Sequence, residues 1–227
     1  MKMRAPDRLA TATVYVVEDD LAIRKSVRAL LQSVDIPAET FATGEQFYQS
    51  YDHERPCCLV LDLRLPDTSG LKLMQRLRER WNYCPPTIII TGHGDVPTAV
   101  QLMKMGVVDF LEKPFSPQQL LDQVQAALAR DRQTRQRLAV RERMIDAIAS
   151  LSQREREVLH ELMTGKPNKL IAVKLNLSAK TVSTHRANIL AKLNAQSLIE
   201  IARVLDTDDE LYLHEPASLR ETIALSN

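Results

Sequence analysis

No apolar run in the 227-residue chain approaches the roughly 18 residues that a membrane-spanning helix needs. The N-terminal stretch MKMRAPDRLATAT also lacks the apolar core of a secretion signal. A cytoplasmic protein without membrane contact is expected. Cysteine is scarce: there are three, an odd number, with neither metal-ligand nor redox spacing. Cys57 and Cys58 lie inside an apolar run and Cys84 precedes two prolines, so they read as small buried hydrophobes in a reducing compartment. Excess charge is missing too, with a net charge of +1, but that value hides a segregation. Residues 1–126 carry 14 Lys and Arg against 16 Asp and Glu, and 127–149 carry 6 against 3. Residues 150–205 carry 9 against 4, and 206–227 carry 1 against 6. A mildly acidic first domain therefore precedes a basic second one, the balance a nucleic-acid partner requires.

From Thr13 the chain alternates short apolar strands with amphipathic helices, the pattern of a parallel sheet covered on both faces. Strands are predicted at Thr13–Val17, Ala38–Phe41, Cys57–Asp62, Thr87–Thr91 and Asp109–Glu112. Between the first two, Ile23, Val27, Leu30, Leu31 and Val34 recur at helical spacing, and Leu71, Met74, Leu77 and Trp81 do so after Gly70. The C-terminal strand ends of such a sheet converge, and ligands and chemistry collect there. Those ends carry Glu18-Asp19-Asp20, Asp62, Thr91 and Lys113-Pro114. Carboxylates gathered at one edge repel one another unless a cation joins them, and an all-oxygen set suits Mg²⁺. A carboxylate nucleophile, a divalent ion, a hydroxyl and an ammonium are the parts needed to move a phosphoryl group onto Asp62.

At these residues the chain resembles the receiver domain of bacterial two-component response regulators, over residues 13–126. The resemblance rests on Glu18-Asp19, Asp62 with Pro66 and Gly70, Thr91, and Lys113-Pro114. It implies a five-stranded flavodoxin-like fold, phosphorylation of Asp62 by a sensor histidine kinase, and direct Mg²⁺ ligation by Asp19 and Asp62. Glu18 would help through water, the backbone carbonyl of Arg64 would complete the metal site, and the Lys113–Pro114 peptide would be cis. Phe110 stands where the family has an aromatic switch that turns inward as Thr91 moves. The surface of helix four (Val96–Met105), strand five and helix five would then form a phosphorylation-favoured homodimer. The wording ITGHGDVPTAV and MKMGVVDFLEKPF narrows the resemblance to the FixJ-like subfamily.

Residues 118–143 are dense in Gln, Ala, Leu and Arg, and no proline or glycine follows Pro117 until Gly165. Helix five is therefore expected to continue into a linker at 127–149. Leu121, Val124 and Leu128 are spaced to pack on the first domain, RDRQTRQR to be solvated. Leu138, Ile145 and Ile148 leave room for helix pairing in a dimer. An all-α unit of four helices is predicted at 150–205. Ser152 and Glu155 form a capping box, Gly165 ends the first helix, and Asn168–Leu175 is a short second. A tight turn leads to Ser178, the N-cap of a third helix running to about Leu193, and a fourth spans Ser197–Leu205. Helix, short turn and helix with a basic balance describe a helix-turn-helix DNA-binding domain. Val182, Ile189 and Leu193 are assigned to its core. Ser183, Thr184 and Asn188 can read base edges, beside Thr181 and the small Ala187. Lys169, Lys180, Arg186 and Lys192 suit phosphates.

The stretch LSQREREVLHELMTGKPNKLIAVKLNLSAKTVSTHRANILAKL is similar to the LuxR/NarL-type domain. Members near this subfamily often have an acidic residue where Ser183 stands, so base preference is expected to differ there. The whole then reads as a phosphorylation-switched transcription regulator, with promoter DNA as partner and RNA polymerase as a further one. Two other readings stay open. An aspartate-nucleophile phosphohydrolase would need a second Asp two residues after Asp62, where Arg64 stands, so self-dephosphorylation should be slow, its rate tuned by Arg64 and His93. A DNA-binding regulator that ignores phosphate would not need the full acidic, Thr and Lys set. The acidic tail 206–227 reads as a flexible segment or a short docked helix through Leu211 and Leu213.

Overall fold

The computed structural model describes residues 12–81, 83–92, 101–103 and 105–205. Most of the expected helix Val96–Met105, together with His93 and the tail 206–227, lies outside the described residues. The chain forms two compact units that part between Thr134 and Arg135. No helix among the described residues is long and apolar enough to cross a membrane.

In the first unit β1 (Thr13–Val17), α1 (Leu21–Gln32), β2 (Ala38–Phe41), α2 (Gly44–Ser50), β3 (Cys57–Asp62) and α3 (Gly70–Trp81) alternate as predicted. Then come β4 (Thr87–Thr91) and β5 (Val107–Glu112), the latter starting two residues before the expected Asp109. The strands pair in parallel in the order β2-β1-β3-β4-β5. β1 thus leads to β2 on one side while its other neighbour is β3, the strand-order reversal beside which α/β sheets open a crevice.

Alternate residues of each strand feed two cores. Val14, Val16, Cys58, Val60, Ile88 and Ile90 join Val27 and Leu31 of α1. Tyr15, Val17, Leu59, Leu61 and Ile89 join Phe47 of α2 and Leu73, Met74 and Leu77 of α3. Because both faces are covered, β1, β3 and β4 are buried along their whole length and their interiors run apolar without alternation. Val34 departs from the predicted stripe: α1 ends at Gln32, and Val34 is exposed beyond it.

A single helix, α4 (Pro117–Ala149), follows β5. Leu121, Val124 and Leu128 enter the first core, as their spacing predicts. The expectation that RDRQTRQR is solvated needs a correction at Asp131, which is fully buried. Its carboxylate accepts the Cys57 amide at 3.0 Å and the Tyr83 hydroxyl.

The second unit contains α5 (Gln153–Met163), α6 (Asn168–Leu175), α7 (Ala179–Lys192) and α8 (Leu198–Leu205). Its core gathers Val158, Leu159, Leu162, Ile171, Ala172, Val182, Ile189, Leu193 and Ile201, with Met144 and Ile148 from the end of α4. The capping box of Ser152 and Glu155 is present. Between α6 and α7 the chain turns at Asn176, whose φ of 53° lies in the left-handed region that Asn tolerates.

Candidate functional site

The crevice beside β1 and β3 is acidic. Glu18 follows β1 directly, its amide bonded to the Phe41 carbonyl, and its carboxylate is fully buried, whereas that of Asp19 is exposed. Asp20 caps α1 by accepting the amides of Ala22 at 2.7 Å and Ile23 at 3.1 Å. The Arg24 guanidinium holds the turn from α1, donating to the carbonyls of Glu18 and Asp19. Asp62 ends β3 with little exposure. One carboxylate oxygen from each of Glu18, Asp19 and Asp62 lies within 4.8 Å of the others.

Lys113 reaches into this group. Its Nζ is 2.5 Å from Asp62 Oδ2 and 2.6 Å from Glu18 Oε2. Burial, reinforced by the charge of Asp62, pushes the Glu18 carboxyl up to about 7 even though Lys113 opposes the rise. Burial works against the Lys113 charge, but Asp62 and Glu18 hold its proton more strongly and raise it above the ordinary lysine value. One ammonium faces three carboxylates, so the set still favours added positive charge. All its donors are oxygen and one is open to solvent, which fits a hard divalent cation such as Mg²⁺.

Thr91 ends β4 and is buried. Its carbonyl accepts the Lys113 amide at 2.8 Å, tying the hydroxyl-bearing and ammonium-bearing strand ends together. The Lys113–Pro114 peptide is cis, as the resemblance implied. Phe110 lies in register with Ile89, half-buried against the second core of the sheet. The backbone of Arg64 is beside Asp62, its amide donating to Asp62 Oδ1 at 3.0 Å, while its side chain is exposed.

On α7, Val182 and Ile189 are buried, while Lys180, Ser183, Thr184, Arg186, Ala187 and Asn188 are exposed and Thr181 is half-buried at the capped first turn. Lys169, on α6, is exposed. Lys192 stands apart from this set: its Nζ is 2.7 Å from Glu155 Oε1, so it ties the end of α7 to the start of α5. Ser183 also accepts a bond from the Asn168 amide at 3.0 Å, which links the two helices of the motif. Sequence spacing missed that bond and the buried acceptor Asp131, since neither pairing is local.

Residues 14–125 match the response regulator receiver domain family, and residues 149–205 match the luxR family of bacterial regulatory proteins. Nodulation protein W of Bradyrhizobium diazoefficiens is 41% identical over 86% of this chain and 86% of its own length. The transcriptional regulatory protein FixJ of Azorhizobium caulinodans is 40% identical over 84% of this chain and 90% of its own. Among solved structures, response regulator StyR aligns with a TM-score of 0.71 at 38% identity, covering 87% of this chain and 99% of that one. The acidic crevice and the exposed basic helix are thus parts of one signalling architecture, and the chain belongs to the DNA-binding two-component response regulators of FixJ type.

Proposed function

We propose that Asp62 is the phosphoacceptor and that a sensor histidine kinase is the donor. The observation that carries this is the position of Lys113 Nζ, bonded to Asp62 Oδ2 and paired with Glu18 across the crevice. An Asp62 oxygen attacks phosphorus, the new O–P bond forms, and the P–N bond to the donor imidazole breaks. Lys113 balances charge on the phosphoryl oxygens, and the Thr91 hydroxyl donates to one of them. Glu18, Asp19, Asp62 and the Arg64 carbonyl would hold Mg²⁺, which when bound supplies charge neutralisation on the phosphoryl oxygens. Arg64 offers no base to activate water, so the acyl phosphate is long-lived enough to signal.

The phosphoryl group adds about −1.5 to −2 charges and three acceptor oxygens to a pocket where Lys113 now spans two carboxylates. Lys113 and Thr91 are drawn toward it, the strand ends β4 and β5 move together through their shared backbone bond, and Phe110 turns inward. That change favours a homodimer, which presents two α7 helices to a two-fold promoter site in the cytoplasm. On each α7, Thr181, Ser183, Thr184, Ala187 and Asn188 face the bases, with Lys180 and Arg186 of the same helix and Lys169 of α6 on phosphates. RNA polymerase is the partner at the promoter.

The test is intact mass after incubation with Mg²⁺ and a small phosphodonor. The wild type should gain one phosphoryl and Asp62→Asn none, and sedimentation of the labelled protein should show a dimer. Equal labelling of both proteins would place the acceptor elsewhere, and absence of label on either would favour phosphate-independent DNA binding.

A further inference from the structure

The loop between Asp62 and Gly70 carries Arg64, whose amide orients the Asp62 carboxylate. Within the loop it is closed by the Gly70 amide on the Leu63 carbonyl at 2.9 Å and by an isolated bridge between Arg64 and Ser69. A third attachment comes from outside. Asp67 Oδ1 accepts the Gly44 amide at 3.1 Å and Oδ2 accepts the Glu45 amide at 2.8 Å, so both oxygens are used on the first turn of α2. Thr43 caps the same helix separately through the Gln46 amide. The contact is close as well as polar: a Cβ at Gly44 would lie 2.5 Å from the Thr68 methyl and 3.4 Å from Leu65 Cδ1. α2 is a firm anchor, because Phe47 is fully buried among Tyr15, Phe41 and Tyr51 and Glu45 pairs with Arg76 of α3 at 2.9 Å.

The geometry points to Asp67 as a positioning residue for the phosphoacceptor site: it clamps the loop to α2 and thereby fixes the Arg64 backbone against Asp62. The assignment rests on the reading of Asp62 and its acidic neighbours given above. Asp67 is not itself a ligand, since its carboxylate is engaged on α2 rather than among the oxygens of Glu18, Asp19 and Asp62. Its effect is indirect. With the clamp removed, the loop keeps the Gly70–Leu63 bond, the Arg64–Ser69 bridge and the packing of Leu65 but loses its attachment to α2, so the loop shifts as a unit and the Arg64 backbone no longer holds the Asp62 carboxylate in order. Groups that orient metal-binding residues influence affinity by about 10-fold or more.

The experiment is calorimetric titration of the full unphosphorylated chain with Mg²⁺, paired with the initial rate of phosphoryl labelling at limiting Mg²⁺. Asp67→Ala should weaken Mg²⁺ binding by about 10-fold and slow labelling in step. Thr43→Ala removes a cap from the same helix turn while leaving the clamp, and should bind Mg²⁺ as the wild type does. Gly44→Ala, which pushes the Thr68 methyl away, should reproduce the loss, and adding Thr68→Ser should restore binding; this pair serves if Asp67→Ala does not fold. Wild-type Mg²⁺ affinity in Asp67→Ala overturns the assignment, as does an equal loss in Thr43→Ala, which would trace the effect to helix stability. If the wild type itself neither binds Mg²⁺ nor takes label, the phosphoacceptor reading has failed and the positioning role falls with it.

Discussion

Glu18 and Glu155 are both buried, yet the two units treat them in opposite ways. Glu18 is raised from 4.5 to about 7, first by burial and then by Asp62. A carboxyl raised on folding contributes fully below its unfolded value and loses that contribution as pH rises through the folded one. In a chelator, Glu18→Gln should therefore be more stable than the wild type, by about 1 kcal/mol after allowance for solvent screening. The advantage should grow between pH 4.5 and 7, the interval spanned by the Glu18 shift, and level off above it. Thermal unfolding at several pH values measures this, and no gain at pH 8 would contradict it. Glu155 is lowered to about 2, first by Lys192 and then by the amide and hydroxyl of Ser152. Its contribution is present above 4.5 and is lost as pH falls toward 2. Glu155→Gln should lower the melting temperature by several degrees at pH 7, with the difference closing in acid. Glu18 gives up stability for a site that invites a cation, whereas Glu155 serves the fold alone.

Helix α4 shows the same contrast at the scale of an element. Its apolar positions Leu120, Val124 and Ala127 seat it on the sheet, but Asp131 fixes it beyond them by accepting the first amide of β3 and the Tyr83 hydroxyl. Asp131→Ala removes that acceptor and should destabilise the first unit by about 2 kcal/mol, with faster amide exchange over 127–134 than over 118–126. Uniform exchange along the helix would show that apolar packing alone holds it. The strands, the helices and the Ser152–Glu155 box were legible because each is a pattern over a few neighbouring residues. The acidic crevice was legible for another reason: parallel topology brings strand ends together, so Glu18, Asp62, Thr91 and Lys113 could be grouped without knowing any distance. Asp131 and Asp67 escaped because their partners lie up to 74 and up to 23 residues away, and no local period encodes such pairings. The surrounding arginines made RDRQTRQR read as one solvated run, and its single buried acid was invisible inside it.

Over the whole molecule, the charge segregation sets how DNA binding should respond to salt. Each cation that contacts phosphate releases counterions, so the slope of log affinity against log salt falls by about 1 when one such contact is removed. Exposed Lys180 and Arg186 are candidates for that role, and Lys192 is not, because its ammonium is held by Glu155. Lys180→Ala and Arg186→Ala should each reduce the slope by about 1 on any duplex and leave the melting temperature nearly unchanged. Lys192→Ala should do the reverse, preserving the slope while lowering the melting temperature, because it strands a buried carboxylate at the start of α5. Ser183→Ala should leave both quantities in place and alter preference among duplex sequences, since its hydroxyl carries no charge and bonds Asn168 at the exposed face. Fluorescence anisotropy across a salt series, set beside thermal unfolding, separates the three classes. A reduced slope in Lys192→Ala would mean that the Glu155 pair opens on DNA and that the lysine trades a carboxylate for a phosphate.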